Sequence, residues 1–89
     1  MIQRTVTIIN KLGLHARAAA KLVSLASQFK SDITLMKNSS TVNGKSILGV
    51  MMLAAAKGSQ LTIMADGADA EQALDDLQAL IERRFDEAE

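Results

Sequence analysis

One histidine, His15, stands two residues after Gly13 and two before Arg17, in a chain that contains no cysteine. Glycine permits a tight, positive-φ approach to the histidine. The apolar-periodic run that follows reads as a helix from Ala16 to about Phe29, which sets His15 at or beside a helix N-terminus. Unpaired backbone N–H groups and the helix dipole favour a bound anion at such an end. They also disfavour an imidazolium there, so the ring is expected to be neutral and nucleophilic. A nucleophilic imidazole in an anion site, with a guanidinium whose planar fork suits phosphate, points to a phosphoryl group carried on His15.

Several elements must position this stretch. Ile2 to Ile9 is β-branched with near alternation, which predicts a strand with Ile2, Val6 and Ile8 inward and Thr5 and Thr7 outward. Arg4 falls on the inner face, so the start of the strand is expected at an edge of the core. Asn10-Lys11-Leu12-Gly13 is a loop delivering the chain to His15. The first helix carries Ala19, Leu22, Val23, Ala26 and Phe29 on one stripe. After the turn at Ser31-Asp32, Ile33–Met36 reads as a second strand, Asn38-Ser39 as a hairpin turn and Ser40–Val42 as a third strand. Ser46 has the chemistry of an N-cap for a helix over 47–56, stopped by Lys57 and a C-cap Gly58. Leu61–Ala65 reads as a fourth strand. Asp69 is expected to cap the last helix, with Gln72 at the capping-box position and a stripe of Ala70, Ala73, Leu74, Leu77, Leu80 and Ile81. The tail, residues 86–89, is expected to be solvated and frayed.

The order β-α-β-β-α-β-α implies one α+β domain over residues 1–89, with a four-stranded, mainly antiparallel sheet and helices on one face. Element order alone leaves a ferredoxin-like split βαβ sheet and other four-stranded arrangements open. Helix 47–56 is apolar nearly all round, too much for a short helix in so small a domain to bury. Some of Leu48, Met51 and Met52 are therefore expected at the surface, where apolar patches meet partners and methionine adapts to several of them. The net charge of zero covers an asymmetry: residues 1–57 carry eight Lys/Arg against one acid, and residues 58–89 carry two against nine. A positive face would steer an acidic or phosphorylated partner towards His15, unless folding intermixes the halves. Without cysteine there are no disulfides or thiolate metal sites. No apolar run reaches the length of a membrane span, and a cytoplasmic protein is expected.

The run Asn10-Lys11-Leu12-Gly13-Leu14-His15-Ala16-Arg17, followed by Gly44-Lys45-Ser46-Ile47-Leu48-Gly49, resembles the HPr family of phosphocarrier proteins of the bacterial phosphoenolpyruvate-dependent phosphotransferase system. Two motifs at the family's separation, in a chain of the family's length, make the resemblance specific. It implies the open-faced β-sandwich of that family. It further implies that His15 accepts a phosphoryl group from phosphorylated enzyme I and passes it to a histidine of a IIA protein. Arg17 would help hold the group, and the backbone N–H groups of Ala16 and Arg17 would cap it. Ser46 matches the family's regulatory serine, the target of a dedicated kinase in some bacteria, and Ile47, Leu48 and Met51 match its docking surface. The chain departs from the usual pattern in one place, with Ala18 where proline commonly follows the arginine. Alanine keeps the first helical turn and leaves the chemistry in place.

The wording of the two motifs is nearer to the proteobacterial members, which include the nitrogen-related branch (NPr), so carbohydrate uptake is one of two pathways implied. A regulatory module of that branch, docking through the 48–52 surface without turnover at His15, is the main competing expectation. A nucleic-acid-binding domain is disfavoured, because without Trp or Tyr the chain lacks stacking platforms. Nothing in it would bind phosphoenolpyruvate, magnesium or a nucleotide, so it is expected to take part in phosphotransfer as a carrier rather than as an autonomous enzyme. No cofactor or metal is expected. A monomer suits a carrier that shows one site to two partners in turn.

Overall fold

The computed structural model describes residues 1–89. Four strands, β1 (Ile2–Thr7), β2 (Asp32–Lys37), β3 (Ser40–Asn43) and β4 (Gln60–Asp66), form one sheet in the order β1-β4-β2-β3. All three pairings are antiparallel, with Val6 opposite Leu61, Leu35 opposite Ile63, and Leu35 opposite Val42. The central strands are thus β4 and β2, which separates this sheet from a ferredoxin-like one and gives the open-faced arrangement. Helices α1 (Ala16–Ala26), α2 (Ile47–Met52) and α3 (Ala70–Glu82) cover one face.

Alternation decides that face. Leu61, Ile63 and Ala65 of β4 are fully buried, while Thr62 and Met64 between them are only half-buried. Ile33 and Leu35 of β2 join them, and the helices contribute Leu22, Val50, Leu74, Leu77 and Ile81. Burying one such aliphatic side chain contributes roughly 1.5–3 kcal/mol. The edge position expected for the start of β1 is observed: Ile2 is exposed, and the Arg4 guanidinium leaves the inner face to donate to Asp75 Oδ1 at 2.6 Å and Gln78 Oε1 at 3.0 Å. That pair also joins the basic and acidic parts of the chain. The β2–β3 hairpin closes through Asn38-Ser39, with Lys37 opposite Ser40 and Asn38 at φ 55°.

Two expected helix boundaries move. Helix α1 ends at Ala26, and Phe29 packs half-buried beyond it. Helix α2 stops at Met52 instead of continuing to Ala56, because Ala54 takes φ 50° and the chain is drawn off to dock elsewhere. The Lys37 ammonium donates to the carbonyls of Leu53 (3.3 Å) and Ala54 (3.2 Å), and Ala55 is buried. Gly58 is no C-cap: its N–H donates to Ile8 O at 2.7 Å, guiding the chain into β4 beside β1.

The start of α3 also differs from expectation. Asp69 occupies the N-cap position, yet its carboxylate makes no capping bond. It accepts instead from Lys30 N–H (2.8 Å), Ser31 N–H (2.9 Å) and the Ser31 hydroxyl (2.5 Å), tying the exit of α1 to α3. Gln72 turns forward to donate to Asp76 Oδ1, so no capping box forms.

The tail is held where fraying is expected. Arg84, Phe85 and Asp86 form one turn of 3₁₀-type hydrogen bonding with φ of 58°, 53° and 62°. Three consecutive left-handed residues with side chains are costly and persist only where other contacts hold them. Phe85 is fully buried, its carbonyl accepts from Lys21 Nζ at 2.7 Å, and the reversed chain runs back towards residues 10–15.

Candidate functional site

His15 is the residue from which α1 departs. Its backbone is extended (φ −74°, ψ 177°) and its carbonyl accepts the first helical bond, from Ala19 N–H at 2.8 Å. The imidazole makes no capping bond, so the N–H groups of Ala16, Arg17 and Ala18 have no intrahelical acceptor. Arg17, in the first turn, is exposed and forms none of the ion pairs in the molecule. Ala18, at the position of the family's proline, is fully buried inside the helix packing.

Gly13 fixes the approach to this end. It sits at φ 67°, and a Cβ there would lie 2.4 Å from the Ala55 carbonyl oxygen and 2.9 Å from Ala56 Cα. Next to it, Leu14 N–H donates to that same Ala55 oxygen at 2.8 Å. This contact is what draws the chain out of α2 after Met52. The expected glycine freedom is therefore used twice, for a positive φ and for close contact between two backbones.

Facing His15 is a group absent from the expected site. Glu87 Oε2 accepts a hydrogen bond from His15 Nε2, and Glu87 Oε1 accepts from Asn10 Nδ2 at 2.9 Å. Asn10 also donates to Gly13 O at 2.9 Å and is fully buried, so it binds the loop and the tail together. Lys11 N–H donates to Glu89 O at 2.6 Å, and its ammonium lies 3.4 Å from Glu89 Oε2. The His15 and Glu87 side chains are 28% and 17% exposed, so the ring is partly accessible. Burial pushes the Glu87 carboxyl up. Hydrogen bonds from Asn10 and His15, with the charges of His15 and Lys21, outweigh it and hold the group below the ordinary glutamate range.

Lys11, Leu12, His15, Arg17 and residues 87–89 line one shallow cavity of about 440 Å³. Two cations and two carboxylates meet there, so folding intermixes the charges and the wholly positive face is not observed. Ser46 lies elsewhere, as the N-cap of α2, its hydroxyl accepting from Gly49 N–H at 3.1 Å. Beyond it the expected apolar surface is present: Ile47, Leu48, Met51 and Met52 are 47, 70, 40 and 74% exposed. Helices α1 and α2 pack against each other, which sets this surface on the element neighbouring His15.

Glu87 was hidden from sequence reading because a run of acids at a chain end has no periodicity. One signal pointed to it: Phe85, an aromatic beyond the last stripe residue Ile81, has to be buried somewhere, and burying it brings the following residues back to the body of the fold.

Comparison with known proteins agrees with this geometry. The family model described as "PTS HPr component phosphorylation site" matches residues 2–83. Phosphocarrier protein HPr of Cupriavidus necator is 56% identical over all 89 residues, covering the whole of both chains. Phosphocarrier protein NPr of Shewanella violacea is 47% identical, covering 98% of this chain and 96% of that one. Among solved structures, HPr-C-His from Thermoanaerobacter tengcongensis superposes with a TM-score of 0.96 at 44% identity, covering both chains completely. A matched phosphorylation-site family, relatives aligned from end to end and the same open-faced sheet agree that this chain belongs to the HPr/NPr family of phosphocarrier proteins of the phosphotransferase system.

Proposed function

We propose that the chain accepts a phosphoryl group on His15 from phosphorylated enzyme I, itself charged by phosphoenolpyruvate, and passes it to a histidine of a IIA protein. The observation that carries this reading is the open end of α1, where an accessible imidazole adjoins unpaired N–H groups and an unpaired guanidinium. Arg17 holds two phosphoryl oxygens through its fork, and the N–H groups of Ala16 and Arg17 take the remaining charge. The protein's contribution to such a transfer is positioning and charge stabilisation. Ile47, Leu48 and Met51 form the surface on which enzyme I and the IIA protein dock in turn. Ser46 is a site for a serine kinase, and a phosphate there places about −1.5 to −2 charge inside that surface. In this reading the carrier acts as a cytoplasmic monomer.

Intact mass tests the proposal. After incubation with phosphoenolpyruvate and either enzyme I or its nitrogen-branch paralogue, one acid-labile phosphoryl group is expected on the chain and none on His15→Ala. The faster donor assigns the pathway, carbohydrate uptake or nitrogen regulation. No gain with either donor favours the second reading, a regulatory module of the nitrogen-related branch. That reading draws on the NPr relative and the exposed face of α2, and it expects His15→Ala to keep its biological effect.

A further inference from the structure

The sulfur of this chain is confined to methionine, and its placement is uneven. There are five methionines and no cysteine, and none of the five is among the 23 residues of the hydrophobic core. Met1 lies at the exposed start of the chain, and Met36 and Met64 are half-buried on the sheet face turned away from the helices. The other two, Met51 and Met52, are adjacent in α2 and 40% and 74% exposed. Methionine ordinarily fills gaps in cores, so a pair held at the surface needs another account. We propose that Met51 and Met52 are a site of reversible oxidation, at which conversion to the sulfoxide weakens the docking of phosphotransfer partners on α2. The inference rests on the proposed docking role of that surface.

Helical spacing groups the two sulfurs around one side chain. Leu48 precedes Met51 by three residues and Met52 by four, so the three share one patch of α2, and Leu48 is itself exposed. Ile47, four residues before Met51, extends the patch. The helix is held in place without help from either thioether. Ser46 caps its start, Val50 is fully buried beneath it, and the Lys37 ammonium binds the carbonyls beyond its end. Oxidation therefore alters the surface and leaves the fold intact.

In the modification, a sulfur lone pair attacks one oxygen of hydrogen peroxide. The S–O bond forms as the O–O bond breaks, and the departing hydroxide takes the proton of the transferred oxygen and leaves as water. Sulfur is oxidised by two electrons and the peroxide is reduced. A methionine sulfoxide reductase reverses the change with a dithiol, which becomes a disulfide while the oxygen leaves as water. The sulfoxide is polar where the thioether was nearly apolar. A partner whose apolar surface covers α2 strips water from the new oxygen and offers it no donor, a penalty that the reduced form escapes. With no thiol in the chain to react first, exposure sets the order in which the methionines are attacked.

The test oxidises the full chain with hydrogen peroxide, removes the peroxide, and then adds phosphorylated enzyme I. Peptide mass mapping gives the occupancy of each sulfoxide, and quenched flow gives the transfer rate below saturation. We expect Met1 and Met52 to be modified first, then Met51, with Met36 and Met64 behind them. Transfer should slow about 10-fold once both α2 sites are oxidised, with thermal unfolding little changed, and sulfoxide reductases should restore it. The Met51→Leu/Met52→Leu chain, whatever its starting rate, should not slow on treatment. Full oxidation of Met51 and Met52 at an unchanged rate would overturn the inference, as would an equal loss in the double variant or a loss that tracks unfolding. Leu48→Ser, measured alongside without peroxide, tells two failures apart. If it slows transfer while oxidation does not, docking on α2 stands and the redox role falls; if neither slows it, the docking reading falls as well.

Discussion

The N-termini of α1 and α2 are built differently, although the two helices pack side by side. At α2, Ser46 closes the helix with its own oxygen, accepting from Gly49 N–H at 3.1 Å, and the residues that follow turn apolar side chains outward. At α1, the cap position is given to a residue that does not cap: His15 directs its ring to Glu87 and leaves the first N–H groups without an intrahelical acceptor. A side-chain cap stabilises a helix by about 1 kcal/mol. The chain forgoes that at α1 and keeps an end able to receive an anion. In the proposed function this contrast becomes a division of labour, in which α1 would carry the exchangeable group and α2 the surface on which partners would sit.

The sharpest way to break this comparison is at Arg17. Arg17→Lys keeps the charge and loses the planar fork, so phosphoryl transfer is expected to slow roughly 10- to 100-fold while the melting temperature is unchanged. Quenched-flow transfer from phosphorylated enzyme I measures it, and an unaltered rate would remove Arg17 from the mechanism.

Substitutions at Ser46 separate capping from docking. Aspartate is itself a good N-cap, so Ser46→Asp is expected to keep α2 intact while adding negative charge to the proposed docking surface. Its transfer rate should fall by about a factor of 10, equivalent to roughly 1.4 kcal/mol of lost complementarity at the docking surface. Ser46→Ala makes the reverse change: the cap is lost at a cost of about 1 kcal/mol in denaturant unfolding, and transfer proceeds at nearly the native rate. If Ser46→Asp exchanged phosphate normally, electrostatic mismatch would be excluded as a means of regulation.

The sequence was most legible where periodicity and local chemistry agree. Four strands, three helices, the exposed start of β1, the Ser46 cap, the positive φ of Gly13 and the exposed face of Leu48–Met52 all follow from residue types over short distances. The motif around His15 identified the family because its residues are contiguous. What was not legible depends on pairs distant in the chain. Helix α2 ends at Met52 because Ala55 is needed by Leu14, some forty residues earlier. Asp69 has the type and position of a cap, yet Lys30 and Ser31 take up its oxygens. Glu87 belongs to the site because Phe85 is buried and Asn10 reaches across. Each of these groups has two competing uses, and only the tertiary arrangement decides between them.

The third helix extends the comparison, since the start of α3 is neither open like α1 nor closed like α2. The Ser31 hydroxyl and the Lys30 amide lower the Asp69 carboxyl to about 2, burial works against them, and the Ser31 amide adds to the lowering. The unfolded chain binds this proton near the ordinary aspartate value of 3.8. Stability supplied by Asp69 is therefore complete above about pH 4 and is lost as the pH falls from there through about 2. Asp69→Asn removes the titrating group and weakens its bonds to Lys30 and Ser31. It should lower the melting temperature by a few degrees at neutral pH, and the difference from the native protein should shrink steadily as the solution is acidified from pH 4 to 2. Thermal unfolding followed across that range measures it. A difference that stayed constant down to pH 2 would mean that the tie between α1 and α3 does not depend on the charge of Asp69, and that the residue serves α3 as an ordinary polar N-terminus after all.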